Sequence, residues 1–302
     1  MGHWAPESAD GEAGTAPRPG RAGTSAAQRP PTSADFDIRR HLSGLGAQLA
    51  GPANVIMQLS WPGVGYGVQE SRVESGNALK HPVKRARTTF TYLAVALLGT
   101  EDDQRIFRKA VNRQHAQVHS TATSPVSYSA LDPRLQMWVA ACLYYGMVDL
   151  IERMHGPLDP CTADRLYAYS SRLGTSLQVR PDMWPADRAE FSRYWEESLA
   201  EVHIDGTIRR YLLSLARLEH IPALVRPVLA DRNLFWTRGF LPPPFREQMG
   251  LTWSSKEEED FNRRLRRLGC IDDLLPGPVR ILPFNLLLWD MRRRHRAGRP
   301  LL

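Results

Sequence analysis

The hydrophobic and polar positions of this chain fall into helix-sized stretches bounded by capping residues, prolines and glycines, and strand signals are almost absent. TTFTYLAVALLG is almost wholly apolar from Phe90 to Leu98 and stops at Gly99, which predicts a short helix enclosed on all sides. Thr100, followed by Glu101, Asp102 and Asp103, opens the next helix with a capping hydroxyl and acids in the first turn. That helix is predicted to reach about Val118. Its apolar stripe is Phe107, Val111, His115 and Val118, with Arg105, Arg108, Lys109 and Arg113 pointing elsewhere. The clearest helix is DPRLQMWVAACLYYGMVDLIERMHG, where Asp132 caps, Pro133 takes the first position and Gly156 follows the end. Another opens at Asp159-Pro160 and closes near Gly174. Further helices are predicted at about 187–201, 206–218, 221–231, 254–268 and 279–295, and Ser254 with Glu257 forms a capping box. LPPPF at 241–245 reads as a rigid extended connector, and WPGVGYGVQES at 61–71 as a glycine-rich turn. VIMQLSW at 55–61 is the one strand candidate and reads equally well as helix. The fold class expected is all-α, a single-domain helical bundle over residues 34–302.

Composition sharpens this picture at the N-terminus. Residues 1–33 are rich in Ala, Gly, Pro and Ser and nearly free of large aliphatics, so they are expected to form a disordered tail. The rest carries enough apolar residues for a sizeable core, at 42% of the whole chain. The formal charge of +7 comes mostly from arginine, which outnumbers lysine 35 to 4. These bases are scattered among acids, the pattern of a solvated surface rather than a nucleic-acid-binding stripe, so no nucleic-acid partner is expected. Cys142, Cys161 and Cys270 are odd in number and far apart, without CxxC or CxxCH. They imply neither a disulfide framework nor covalent haem attachment, and fit a reducing cytoplasm. No apolar run approaches the ~20 residues of a membrane span, and no export signal pattern opens the chain, so a cytoplasmic location is expected.

Three constellations are candidates for chemistry. His115 lies in line with apolar residues of its predicted helix, where a neutral imidazole can ligate iron, zinc or copper; the bland reading is a core histidine bonded to a carbonyl. His115 and His119 are spaced as two ligands on one helix face, but the glutamate of HExxH is missing. In HPVKRARTTFTY, Arg85 and Thr89 are four apart, and the guanidinium can clamp a carboxylate such as a haem propionate or a substrate acid. The alternative is an arginine paired with a neighbouring acid. In WPGVGYGVQES, the glycines let backbone come close to something flat or bulky, and Glu70 follows as a candidate general base. A plain structural turn is the simpler reading there.

The order of these pieces resembles one family. A Gly-Pro-Ala start, QLSWPGVGYGVQES, RARTT with its helix ending at Gly99, NRQHAQV, YSALDPRLQMWVAACLYYGMV, LPPPFREQMGLTW and LLPGPVRILPF together look like the MpaB-type oxygenase family, which includes the latex clearing protein, a rubber oxygenase. The resemblance covers roughly residues 40–290. It implies a globin-like helical core around a non-covalent haem b, with His115 as the iron ligand and His119 as the second candidate. It also implies that Arg85 and Thr89 shape the distal pocket, as cofactor-binding and catalytic residues, and that Glu70 is the base. Dioxygen and a small or medium organic substrate would be the partners, in a biosynthetic pathway given the family's breadth. Two departures stand out. Thr88 occupies the place of the latex enzyme's iron-capping lysine. Val139 and Ala140 follow Trp138 where many members carry a histidine two residues after the tryptophan. The rival functional classes are a haem- or ligand-binding sensor or carrier without turnover, and a helical interaction module whose histidines are merely packed.

Overall fold

The computed structural model describes residues 36–71, 73, 81–219, 221–222 and 224–302; the expected tail at 1–33 lies outside the described residues. Among the described residues the chain is all helical, in one domain, apart from a single isolated β-bridge between His119 and Ser129. Helix α1 (Gly44–Leu59) and α2 (Pro62–Gln69) are followed by α3 (Pro82–Leu98) and α4 (Glu101–His115). Then come α5 (Pro133–His155), α6 (Pro160–Ser170), α7 (Arg172–Thr175), α8 (Arg188–Leu199) and α9 (Gly206–Ala216). The C-terminal part comprises α10 (Arg226–Phe240), α11 (Pro243–Met249), α12 (Ser255–Leu274), α13 (Gly277–Arg280) and α14 (Leu282–Arg296).

Helix α5 is the axis of the core. Asp132 accepts from the Arg134 backbone N–H, Pro133 begins the helix, and Gly156 ends it at φ 92°, a conformation open to glycine. The helix packs against α1, α7, α10 and α12, so Met137, Trp138, Ala141 and Cys142 are all buried. Trp138 has no exposed surface and stacks on Trp61 and Trp195 at centroid distances of 4.9 and 5.3 Å. Its indole N–H donates to the Gln58 carbonyl at 3.1 Å, so the ring is buried without stranding its polar atom.

Several expected elements change shape. VIMQLSW takes the helical alternative: its first five residues close α1, which is enclosed by α2, α5 and α10, and an apolar run buried on every side carries no strand-like alternation to read. WPGVGYGVQES is not a turn but mostly helix α2, opened by Pro62. Its glycines serve close approach. A Cβ on Gly65 would lie 2.6 Å from the Leu59 carbonyl oxygen, so the α1–α2 corner closes only over a bare Cα. LPPPF is extended only at its start, because Pro243 takes the first position of α11 and loses no hydrogen bond there. Arg246 of α11 turns back to donate to the carbonyls of Leu241 and Arg238 at the end of α10. The helix expected at 221–231 begins at Arg226 and runs to Phe240, with Pro227 in its first turn. The 159–174 helix breaks at Ser171 into α6 and α7. The helix expected to reach Val118 ends at His115, and the chain then doubles back, Val118 accepting from Ala130 N–H and Ser120 donating to Tyr128.

Candidate functional site

Helix α4 is held at its start and at its middle. Thr100 and Asp103 form a reciprocal capping box, and Arg292 of α14 donates to both Asp103 carboxylate oxygens, at 2.7 Å in the closest contact. Arg108 reaches past α7 to donate to the carbonyls of Thr175 and Ser176. With the helix so fixed, Phe107, Val111 and His115, four apart, present one face to a cavity. The same cavity is lined by Arg85, Thr88, Thr89 and Tyr92 of α3, Leu135, Gln136, Val139 and Leu143 of α5, and Gly63, Val64, Gly67 and Val68 of α2. Leu173, Leu177 and Leu302 contribute further apolar surface. The hollow encloses about 1490 Å³ free of protein atoms when its opening to solvent is included, and about 240 Å³ of it is room for the centres of water-sized molecules. Among its described lining residues there is no aspartate and no glutamate.

His115 ends α4 against this cavity. Its Nδ1 is buried with no hydrogen-bond partner. Burial and, second, the positive charge of Arg85 push the imidazole down to about 4, while a backbone hydrogen bond with Ala130 acts in the other direction. The ring is therefore neutral near pH 7, the form that ligates a metal. Ala130 is itself fixed: Gln136, a buried residue of α5, donates to its carbonyl at 2.7 Å. Gln136 in turn accepts from the Gln178 backbone at 2.8 Å, and the Gln178 amide donates to Asn112 of α4 at 2.5 Å. This chain of amides ties the loop beside His115 to the helix that carries it.

Arg85 is half-buried and lines the same cavity, one turn before Thr88 and Thr89. Its guanidinium makes no hydrogen bond or ion pair among the described residues, although its backbone N–H donates to the His81 carbonyl. Desolvation lowers its pKa, opposed only by Tyr211, yet an arginine this far above neutrality keeps its charge. Tyr92, further along α3, donates its hydroxyl to the Leu173 carbonyl and is pushed up to about 12 by burial. It stays protonated and braces α3 against α7.

The sequence candidates thus separate. His115, Arg85 and Thr89 meet at one cavity; Glu70 and His119 do not line it. Glu70 caps the end of α2, and its Oε2 accepts from the hydroxyls of Ser124 and Tyr128 at 2.6 and 2.7 Å. It holds the 119–129 loop, and with it Tyr128, which does line the cavity. His119 is exposed, its Nδ1 3.1 Å from the Ser120 carbonyl oxygen. No three His, Cys, Asp or Glu side chains among the described residues gather as a metal-binding group, so this cavity offers a single imidazole rather than a zinc-type ligand set. At the two departures noted above, Thr88 lines the cavity, as does Val139, whereas Ala140 is buried outside it. Gln136, Gln58, Gln114 and Tyr128 escaped sequence reading, since glutamine and tyrosine carry no local signal of what they face.

Comparison with known proteins follows the same lines. The family model described as "ER-bound oxygenase mpaB/B'/Rubber oxygenase, catalytic domain" matches residues 38–269. Uncharacterized protein Rv2237 of Mycobacterium tuberculosis is 53% identical over 247 residues, covering 82% of this chain and 97% of that protein. Uncharacterized protein Mb2261 of Mycobacterium bovis matches to the same extent. No solved structure is found to match the chain.

Proposed function

The chain belongs to the mpaB/B′ and rubber oxygenase catalytic-domain family, and on that premise we propose that it is a haem b-dependent oxygenase acting on a small or medium organic substrate. One observation carries the reading: a neutral imidazole with an orphaned ring nitrogen borders an apolar cavity that an unpaired guanidinium also lines. These residues suit a porphyrin. A single histidine is the usual proximal ligand, and apolar walls suit the macrocycle. In this reading His115 holds the iron, and Arg85 and Thr89 line the pocket where the substrate and dioxygen meet. When bound, the haem supplies redox chemistry on dioxygen.

The chain's own residues do the rest. His115 stays unprotonated because burial and Arg85 oppose its charge. Gln136 and Ala130 fix the imidazole's surroundings, as outer-sphere partners do for metal-bound histidines. The valines and leucines of α2 and α5 exclude water and bind the apolar body of the substrate. Glu70 acts here through the loop it holds, not as a proton acceptor, because its carboxylate is engaged by Ser124 and Tyr128.

A globin-like arrangement of helices around the haem, a cytoplasmic location and a biosynthetic role belong to the same proposal. The location is supported by the cysteines, which are all unpaired, Cys142 buried and Cys161 and Cys270 exposed. No helix among the described residues is long and apolar enough to cross a membrane.

The lack of an acid among the described lining residues also favours a second reading, a haem-binding carrier or sensor without turnover. Spectra of the purified protein, oxidised and dithionite-reduced, combined with an oxygen electrode separate the two. A Soret band with substrate-dependent oxygen uptake supports the oxygenase. A Soret band without uptake across a broad panel of organic substrates supports the carrier, and a colourless protein made with ample haem overturns both.

A further inference from the structure

An arginine lining an apolar cavity with no counter-ion is costly to keep, because burying a charge without a partner loses solvation that nothing in the protein returns. Arg85 is in this position. The described lining has no carboxylate, the groups that interact with Arg85 from other helices are the phenol of Tyr211 and the imidazole of His115, neither of them an anion near neutrality, and the remaining walls are chiefly valine, leucine and aromatic rings. Elsewhere in the molecule, half-buried arginines find acceptors. Arg153 is paired with Asp149 and Glu258 and Arg87 with Asp290, while Arg108, Arg172 and Arg246 donate to backbone carbonyls. Arg85 stands apart from that pattern, and it does so in the cavity that carries the proposed site.

We propose that this cavity selects an apolar monocarboxylic acid as its substrate, with Arg85 holding the carboxylate and the α2 and α5 side chains enclosing the hydrocarbon body. The planar guanidinium presents parallel N–H donors that match a carboxylate, and its affinity rises in a water-poor setting. Thr88 and Thr89 lie one turn on from Arg85 and border the same space. A neutral hydrocarbon would leave the guanidinium buried beside it and unpaired, so the site discriminates against uncharged analogues as well as favouring acids. The inference rests on reading this cavity as the substrate site. The same chemistry could come from a second source, a propionate of the haem, and the test separates them.

The full-length protein, as purified and after haem reconstitution, is titrated calorimetrically with decanoate and 4-phenylbutanoate and with the corresponding alcohols. The expected result is that at least one acid binds at least tenfold more tightly than its alcohol. Arg85→Gln should lose this preference, weakening acid binding by about thirtyfold, the scale of one lost charge-assisted pair. Arg85→Lys should keep part of it, and circular dichroism confirms that both variants are folded. Haem content by pyridine haemochrome should be unchanged in Arg85→Gln. If Arg85→Gln instead loses its haem and the acids compete with haem loading, Arg85 holds a propionate; the substrate class is overturned and the haem reading stands. If the protein takes no haem yet binds acids through Arg85, the haem reading fails and this inference survives. If neither acid outbinds its alcohol, the inference is wrong.

Discussion

Replacing Arg85 by methionine should make the ligand-free protein more stable. The change keeps an unbranched apolar stem in a cavity that Val64, Val68 and Val139 also line and removes a charge that no described residue balances. Exchanging buried charges for apolar groups of similar volume typically gains about 1–4 kcal/mol. Arg85 retains part of its exposure, so the lower half of that range, about 1–2 kcal/mol, is the appropriate expectation. At an unfolding entropy of about 2.1 cal/mol/K per residue, a domain of this size shifts by about 2 °C per kcal/mol, which gives a rise of about 2–4 °C in Tm. Thermal melts followed by circular dichroism measure it, with and without decanoate. The wild type should gain stability with the acid by mass action and the variant should not. A variant that melts several degrees lower than wild type would refute the reasoning, since it would mean that the guanidinium already has a stabilising partner in the protein.

Other consequences follow from the same structure. His115 titrates near 4 when folded and near 6.5 when unfolded, so the unfolded chain binds more protons in between; its contribution to stability is present above pH 6.5 and is lost as pH falls towards 4, by up to about 3 kcal/mol. Urea midpoints of the haem-free protein at pH 7.5, 5.5 and 4.5 should show that loss in wild type and not in His115→Leu; identical slopes would dismiss it. Gly269→Ala should cost about 1–3 kcal/mol, because its Cβ would stand 2.3 Å from the Met154 carbonyl oxygen where α12 crosses α5 and backbone cannot yield as a side chain can; an unchanged denaturation midpoint would show that the crossing is looser than described. Glu70→Ala should destabilise by about 1–2 kcal/mol by releasing Ser124 and Tyr128, while haem loading persists. Loss of haem in a folded Glu70→Ala protein would contradict its assignment to the loop.

How far the sequence reached depends on whether a signal was local. The ends of α5 were readable because Asp132, Pro133 and Gly156 act within their own turns. The capping box of α4 likewise announced itself, and the four-residue spacing of Phe107, Val111 and His115 placed the histidine on the cavity side without any tertiary knowledge. Where packing decides, the reading slipped. Three glycines in WPGVGYG signal either a turn or a helix pressed against its neighbours, and only the Leu59 carbonyl beside Gly65 distinguishes them. Glu70 was drawn to the chemistry by its closeness in sequence to the glycines, whereas its carboxylate is claimed by residues 54 and 58 positions away. Gln136 and Leu302 reach the cavity from distant elements, and nothing in their immediate sequence marks them. The absence of a partner for Arg85 is likewise a property of the assembled walls, so the sequence offered only the possibility of a clamp.

The central claim is that the imidazole of His115 ligates a haem iron in this cavity. Wild type, His115→Ala and His119→Ala, each expressed with ample haem and confirmed as helical, should be assayed for haem per chain by pyridine haemochrome. About one haem per chain is predicted in wild type and His119→Ala, and almost none in His115→Ala. A wild type without haem, or a His115→Ala protein that keeps its haem while His119→Ala loses it, would contradict the account.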